Sequence, residues 1–112
     1  MGKRNKSYVE NIFAFQLKAL GLEFEQEYKA IPGRRYRWDF FIKPNLLIEI
    51  QGGTWAAGKM AHNSGAGIKR DCEKLNIATM YDYRSLNFTT DMVTDGSALK
   101  TVEDVMRSVQ DG

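Results

Sequence analysis

The sequence predicts an α/β (α+β) protein, one mixed β-sheet flanked by helices in the order α-β-β-β-α-β-α. Three observations predict it. Residues 7–20 space their apolar side chains as a helix does, "RRYRWDFFIKPNLLIEIQ" sets two β-prone runs around a short turn, and helical spacing returns twice further on around one short strand.

Taken in order, Ser7 is a capping residue for a helix carrying Val9, Ile12, Phe13, Leu17 and Leu20, and Gly21 is a natural stop. "EFEQEYKAI" reads as a polar edge strand over residues 23–31, and Pro32-Gly33 turns the chain. In residues 34–42, strict alternation predicts Tyr36, Trp38, Phe40 and Ile42 on one face and Arg35, Arg37, Asp39 and Phe41 on the other. Lys43-Pro44-Asn45 has hairpin length and leads into "LLIEIQ". A glycine-rich loop, "GGTWAAGKMAHNSGAG", precedes a helix near Ile68 to Met80, whose Ile68, Cys72 and Leu75 share a face and are expected in the core. "YRSLNF" reads as a short strand, and Ser97 as the cap of a last helix through Val109. No repeat or linker divides the chain, so residues 1–112 are expected to form a single domain.

Composition narrows the function classes. With 43% hydrophobic and 27% charged residues this is an ordinary globular composition, and no apolar run approaches the roughly 20 residues of a membrane span. One cysteine leaves no internal disulfide and no thiolate zinc site, which fits a reducing, cytoplasmic setting. The start "MGKRNKSYVE" has basic residues without the apolar segment of a signal peptide, and Lys6 stands where a myristoylation motif needs Ser or Thr. A net charge of +2 says little, but the basic residues cluster at Lys3, Arg4 and Lys6, at Arg34, Arg35 and Arg37, and at Lys69 and Arg70. Such clusters permit an anionic partner.

The chemistry is concentrated in the hairpin. A turn centred on Pro44 sets Asp39 opposite Glu49, and like charges so placed oppose each other's ionisation. Two readings follow: a shared divalent cation of the magnesium or manganese type, or solvated strand-end acids with Arg37 as a surface ion-pair partner. Gln51 shares the face of Glu49. On the expected alternation Arg35 and Arg37 share that of Asp39, so on the first reading cations that could hold phosphate lie beside carboxylates that could hold a metal.

Asp39, nine intervening residues and then Glu49-Ile50-Gln51 resemble the PD-(D/E)XK, or restriction-endonuclease-like, nuclease superfamily. With a helix carrying Glu10 before and "DCEK" after, the order is similar to small stand-alone, phage-type endonucleases related to very-short-patch repair enzymes. The resemblance implies a restriction-endonuclease-like fold, Mg2+ or Mn2+ held by Asp39, Glu49 and the Ile50 carbonyl, DNA as substrate, and 5′-phosphate products. Trp38 stands in place of the proline of the family name, and Gln51 in place of its lysine. A displaced lysine has candidates in Lys74, three residues after Asp71, and more weakly in Lys69; the alternative for Lys74 is a solvated helix lysine paired with Asp71. Glu10 matches the helix acid of some relatives, or is a surface residue.

Gly53 and Gly58-Lys59 imitate a phosphate-binding P-loop, but Met60 stands where its hydroxyl belongs. The loop reads better as an arm over nucleic acid, with Lys59 on phosphate and Trp55 either stacking on a base or closing the core. His62, the one histidine, is either a proton shuttle or a plain loop residue. The leading expectation is a metal-dependent endonuclease acting on DNA in repair, recombination or phage DNA processing. Arg34, Arg35, Arg37 and Lys59 would hold the backbone, and a pair of copies would cut two strands. A catalytically inactive nucleic-acid-binding module on the same fold is the first alternative, for which Gln51 argues; a structural interaction protein is the second.

Overall fold

The computed structural model describes residues 6–52 and 65–111. The elements are α1 (Lys6–Ala19), β1 (Glu25–Tyr28), β2 (Trp38–Ile42), β3 (Leu46–Gln51), α2 (Gly65–Met80), β4 (Arg84–Thr89), α3 (Thr90–Thr94) and α4 (Ser97–Asp111). Among the described residues the sheet order is β1-β2-β3-β4, antiparallel except for the parallel β3–β4 pair that α2 connects. This is the expected mixed sheet flanked by helices, with one short helix more than expected. That helix, α3, escapes an apolar-periodicity reading because it has five residues; the Thr89 hydroxyl, accepting the Met92 N–H, starts it.

Local chemistry explains the helix ends. Gly21 adopts φ +79°, letting the Leu22 N–H reach the Leu17 carbonyl and its own N–H reach that of Lys18, so α1 stops where its glycine predicts. Asp82 closes α2 in the same way at φ +67°, with Tyr83 bonding back to Ala78. At α4 the expected cap is displaced. Ser97 is already the first helical residue, and the Asp95 carboxylate accepts its N–H at 2.8 Å.

Two apolar layers sandwich the sheet. On one side Val9, Phe13 and Leu17 of α1 pack with α3 and α4 against Phe40, Ile42, Leu46, Ile48, Ile50 and Phe88. The Phe13 ring meets Phe40 edge-on at 5.2 Å between centroids. On the other side Ala78 of α2 packs with Ile31, Trp38, Phe41 and Leu47. Both faces being covered, every residue of β2 is buried, Asp39 included.

Three expectations change here. β1 covers only four of the nine residues expected of it. Trp38 does not share a face with Phe40 and Ile42 but packs with Phe41 and Leu47, so the alternation slips at Asp39, and Arg35 and Arg37 precede the strand. Cys72 is exposed rather than buried, as are Ile68 and Leu75, because α2 meets the sheet through Ala78 instead. No helix among the described residues is long and apolar enough to cross a membrane.

Candidate functional site

The hairpin turn contains a cis Lys43–Pro44 peptide, and from it the register runs through Ile42–Leu46, Phe41–Leu47 and Phe40–Ile48. The next pair in that register is Asp39 and Glu49, as expected from a turn centred on Pro44. There the side chains enter the ladder. The Ile50 N–H donates to Asp39 Oδ2 at 2.7 Å, and the Asp39 N–H donates to Glu49 Oε1 at 3.2 Å. Two carboxylates thus take acceptor positions beside the backbone, and β2 can change face at Asp39 without orphaning the buried Ile50 N–H.

Carboxylates converge on this point from two further elements. Oxygens of Glu10 on α1, Glu27 on β1 and Asp39 on β2 lie within 4.8 Å of one another. Glu10 reaches the site because it follows Val9, which anchors α1 in the core. Glu27 reaches it through an unusual backbone: its φ of +52° is left-handed, a conformation costing a non-glycine residue about 1–2 kcal/mol. Lys6, one turn before Glu10, places its Nζ 3.1 Å from Asp39 Oδ1 and 3.9 Å from Glu10 Oε2.

Glu49 is held from the other side. On α2, Lys74 lies one turn before buried Ala78 and therefore faces the sheet. Its Nζ donates to Glu49 Oε2 and to the Arg37 carbonyl, each at 2.7 Å, and sits 4.8 Å from the centroid of the Trp38 ring. Asp71 is not its partner. Gln51 shares a cavity of about 360 Å³ with Trp38, Glu49, Lys74 and Asn87, and donates its amide to Asn87 Oδ1 at 3.0 Å.

The electrostatics follow from crowding acids in a partly dry place. Burial, reinforced by Asp39, pushes the Glu10 carboxyl up to about 7 against the pull of Lys6. Burial raises Glu49 as well, with Asp39 adding to the rise and Lys74 opposing it. Burial alone would lower the Lys6 ammonium, but attraction to Asp39 outweighs it and the net shift is upward. The site is short of positive charge, and its donors are hard oxygens. That combination fits Mg2+ or Mn2+.

The Glu10 shift carries a sign. The folded protein keeps a proton on Glu10 that the unfolded chain releases near 4.5, so folding binds protons between pH 4.5 and about 7. This contribution penalises folding as pH rises through that window. Metal-free protein should therefore lose melting temperature from pH 5 to pH 7.5, and Glu10→Gln should lose measurably less. Equal slopes in the two thermal-denaturation series would contradict the shift.

Of the other residues singled out in the sequence, Arg37 pairs with Glu27 at 3.6 Å on the surface and Arg34 lies over the Tyr36 ring at 5.2 Å. Arg35 lines a second cavity, described below, and Lys69 is exposed on α2. Trp55, Lys59 and His62, with the P-loop-like segment, lie outside the described residues. Glu27 and Lys6 are the members that sequence reasoning missed as site residues. Glu27 sits in a polar strand with no apolar pattern to fix its direction, whereas the i,i+4 spacing of Lys6 and Glu10 was a usable signal.

No family model matches this sequence, and no curated protein matches it. Among solved structures the chain is similar to the catalytic domain of the homing endonuclease I-Bth0305I, with 19% identity over 91% of this chain and 89% of that one, at a TM-score of 0.60. What the two share is the fold.

Proposed function

We propose that this single-domain chain is a metal-dependent endonuclease that hydrolyses DNA phosphodiester bonds. The observation that carries the reading is the fork between β2 and β3, where Asp39 and Glu49 are locked to each other's strands and Glu10 and Glu27 add carboxylates. Likeness of fold to an endonuclease catalytic domain supports it.

Asp39 and Glu49 would be the principal ligands, with Glu10 and Glu27 as further donors and the Ile50 carbonyl as the one the family resemblance adds. Mg2+ or Mn2+ held there would supply Lewis acidity to the scissile phosphate and acidify the attacking water. Lys74 brings positive charge to the phosphorane-like transition state, taking the place of the lysine that Gln51 replaces. Gln51 orients water through its amide. In-line attack at phosphorus expels the 3′ oxygen and leaves a 5′-phosphate.

Incubation of the purified chain with single-stranded, duplex, flap and branched DNA in Mg2+ or Mn2+ tests this. Metal-dependent cleavage is expected, lost in Asp39→Asn and in Glu49→Gln. Binding without cleavage of any of these would instead favour an inactive nucleic-acid-binding module, the reading that Gln51 in the lysine slot supports.

A further inference from the structure

A groove adjoins the acidic fork. It has a volume of about 470 Å³ and lies between the segment that precedes β2, which contributes Arg35, Tyr36 and Arg37, and the first turns of α2, which contribute Arg70, Asp71 and Lys74. Asp71 and Lys74 also line the cavity that holds Glu49 and Gln51, so the two hollows adjoin. Four cations face one acid. Two are already committed, Lys74 to Glu49 and Arg37 to Glu27, but among the described residues Arg35 and Arg70 form no ion pair with an acid. Both are exposed, one on each wall. The first turn of α2 carries no acid, so the positive end of its dipole is not offset there.

We infer that this groove is the track of the scissile strand, with Arg35 and Arg70 gripping one backbone phosphate beside the one cleaved. The inference rests on the nuclease reading and deepens it. It assigns Arg70, rather than its neighbour Lys69, as the phosphate contact of α2, because Arg70 and not Lys69 lines the groove. Two guanidiniums on opposite walls fit a single phosphodiester held between them, since each presents a planar fork of donors.

Fluorescence anisotropy with labelled single-stranded and duplex oligonucleotides, in EDTA to prevent turnover, tests the track. Arg35→Ala and Arg70→Ala should each weaken binding about five- to twentyfold near 0.1 M salt. The double variant should also flatten the slope of log affinity against log salt by about 0.7 to 0.9, the contribution of the one phosphate they share, and each single variant by less. Arg107→Ala, on the distant α4, should stay within about twofold of wild type. Arg70→Glu should lose more than Arg70→Ala. A neutral methylphosphonate scanned along the strand should, at one position, weaken the wild type more than either single variant and leave the double variant unchanged. If wild type binds and the two arginine variants behave like Arg107→Ala, the track is wrong and the nuclease reading stands. Failure of the wild type to bind either oligonucleotide overturns the track, and the cleavage assay decides the nuclease reading.

Discussion

Asp39→Asn is expected to reduce DNA cleavage by about a thousandfold or more while leaving the fold nearly intact. The size follows from what a metal ligand at a phosphoryl centre contributes, several kcal/mol of transition-state stabilisation, and each 1.36 kcal/mol is a factor of ten in rate. Asparagine is the informative substitution because Asp39 also has structural work. Its Oδ2 accepts the Ile50 N–H at 2.7 Å in a position that is 6% exposed. Alanine would orphan that donor, at a cost of about 1–3 kcal/mol, and confuse a catalytic loss with a folding one. The asparagine carbonyl can still accept from Ile50, while the charge that attracts Lys6 and a divalent cation disappears. Mn2+ should raise the melting temperature of the wild type, and that rise should vanish with the activity. An asparagine variant retaining activity within about tenfold of wild type would place the chemistry elsewhere.

Lys6 allows the same electrostatics to be checked without turnover. Its ammonium sits 3.1 Å from Asp39 Oδ1, near the position a cation needs, and its side chain is 41% exposed, so it can withdraw. Lys6→Met should lower the melting temperature of metal-free protein and tighten Mn2+ binding severalfold by titration calorimetry, since metal no longer displaces a resident cation. Unchanged or weaker Mn2+ affinity would mean that Lys6 does not compete for the site.

Much of this arrangement was legible because the hairpin constrains itself. Two apolar runs around a three-residue turn admit one register that buries both, and that register by itself makes Asp39 and Glu49 neighbours. Helix positions were legible for the same reason, since apolar spacing and a glycine stop fix α1 within a residue or so. What stayed hidden depends on exceptions to periodicity. Strict alternation failed at Asp39 because a carboxylate, not a carbonyl, accepts from Ile50, allowing Trp38 to turn toward α2. Glu27 was hidden because a left-handed residue inside a polar strand leaves no sequence trace. Cys72 was misplaced because the face it shares with Ile68 and Leu75 is exposed, and Ala78 with Ile77 packs against the sheet instead. The place of Lys74 beside Glu49 was open to sequence only as a candidate, since reach from a helix to a strand is a tertiary property.

That lysine carries the second large effect. Lys74→Met should lower kcat by about a hundred- to a thousandfold with little change in KM, the loss typical of removing one positioned donor from a developing anion. Methionine keeps the stem that packs beside Trp38, so the change isolates the ammonium. A merely structural Lys74 would show a different pattern: its bonds to Glu49 and to the Arg37 carbonyl join α2 to both strands, and losing them would lower stability while sparing kcat. Gln51 supplies the decisive control. It lines the same cavity as Lys74, so a lysine there can deliver charge to the same volume. Gln51→Lys alone should have a modest effect, because the site already holds its cation and gains a repulsive neighbour. In the Lys74→Met background, however, Gln51→Lys should restore at least tenfold of the lost kcat. Rescue would mean that the ammonium has moved from strand to helix with its function intact. Failure of the double variant, with both single variants folded, would confine Lys74 to holding Glu49 in place.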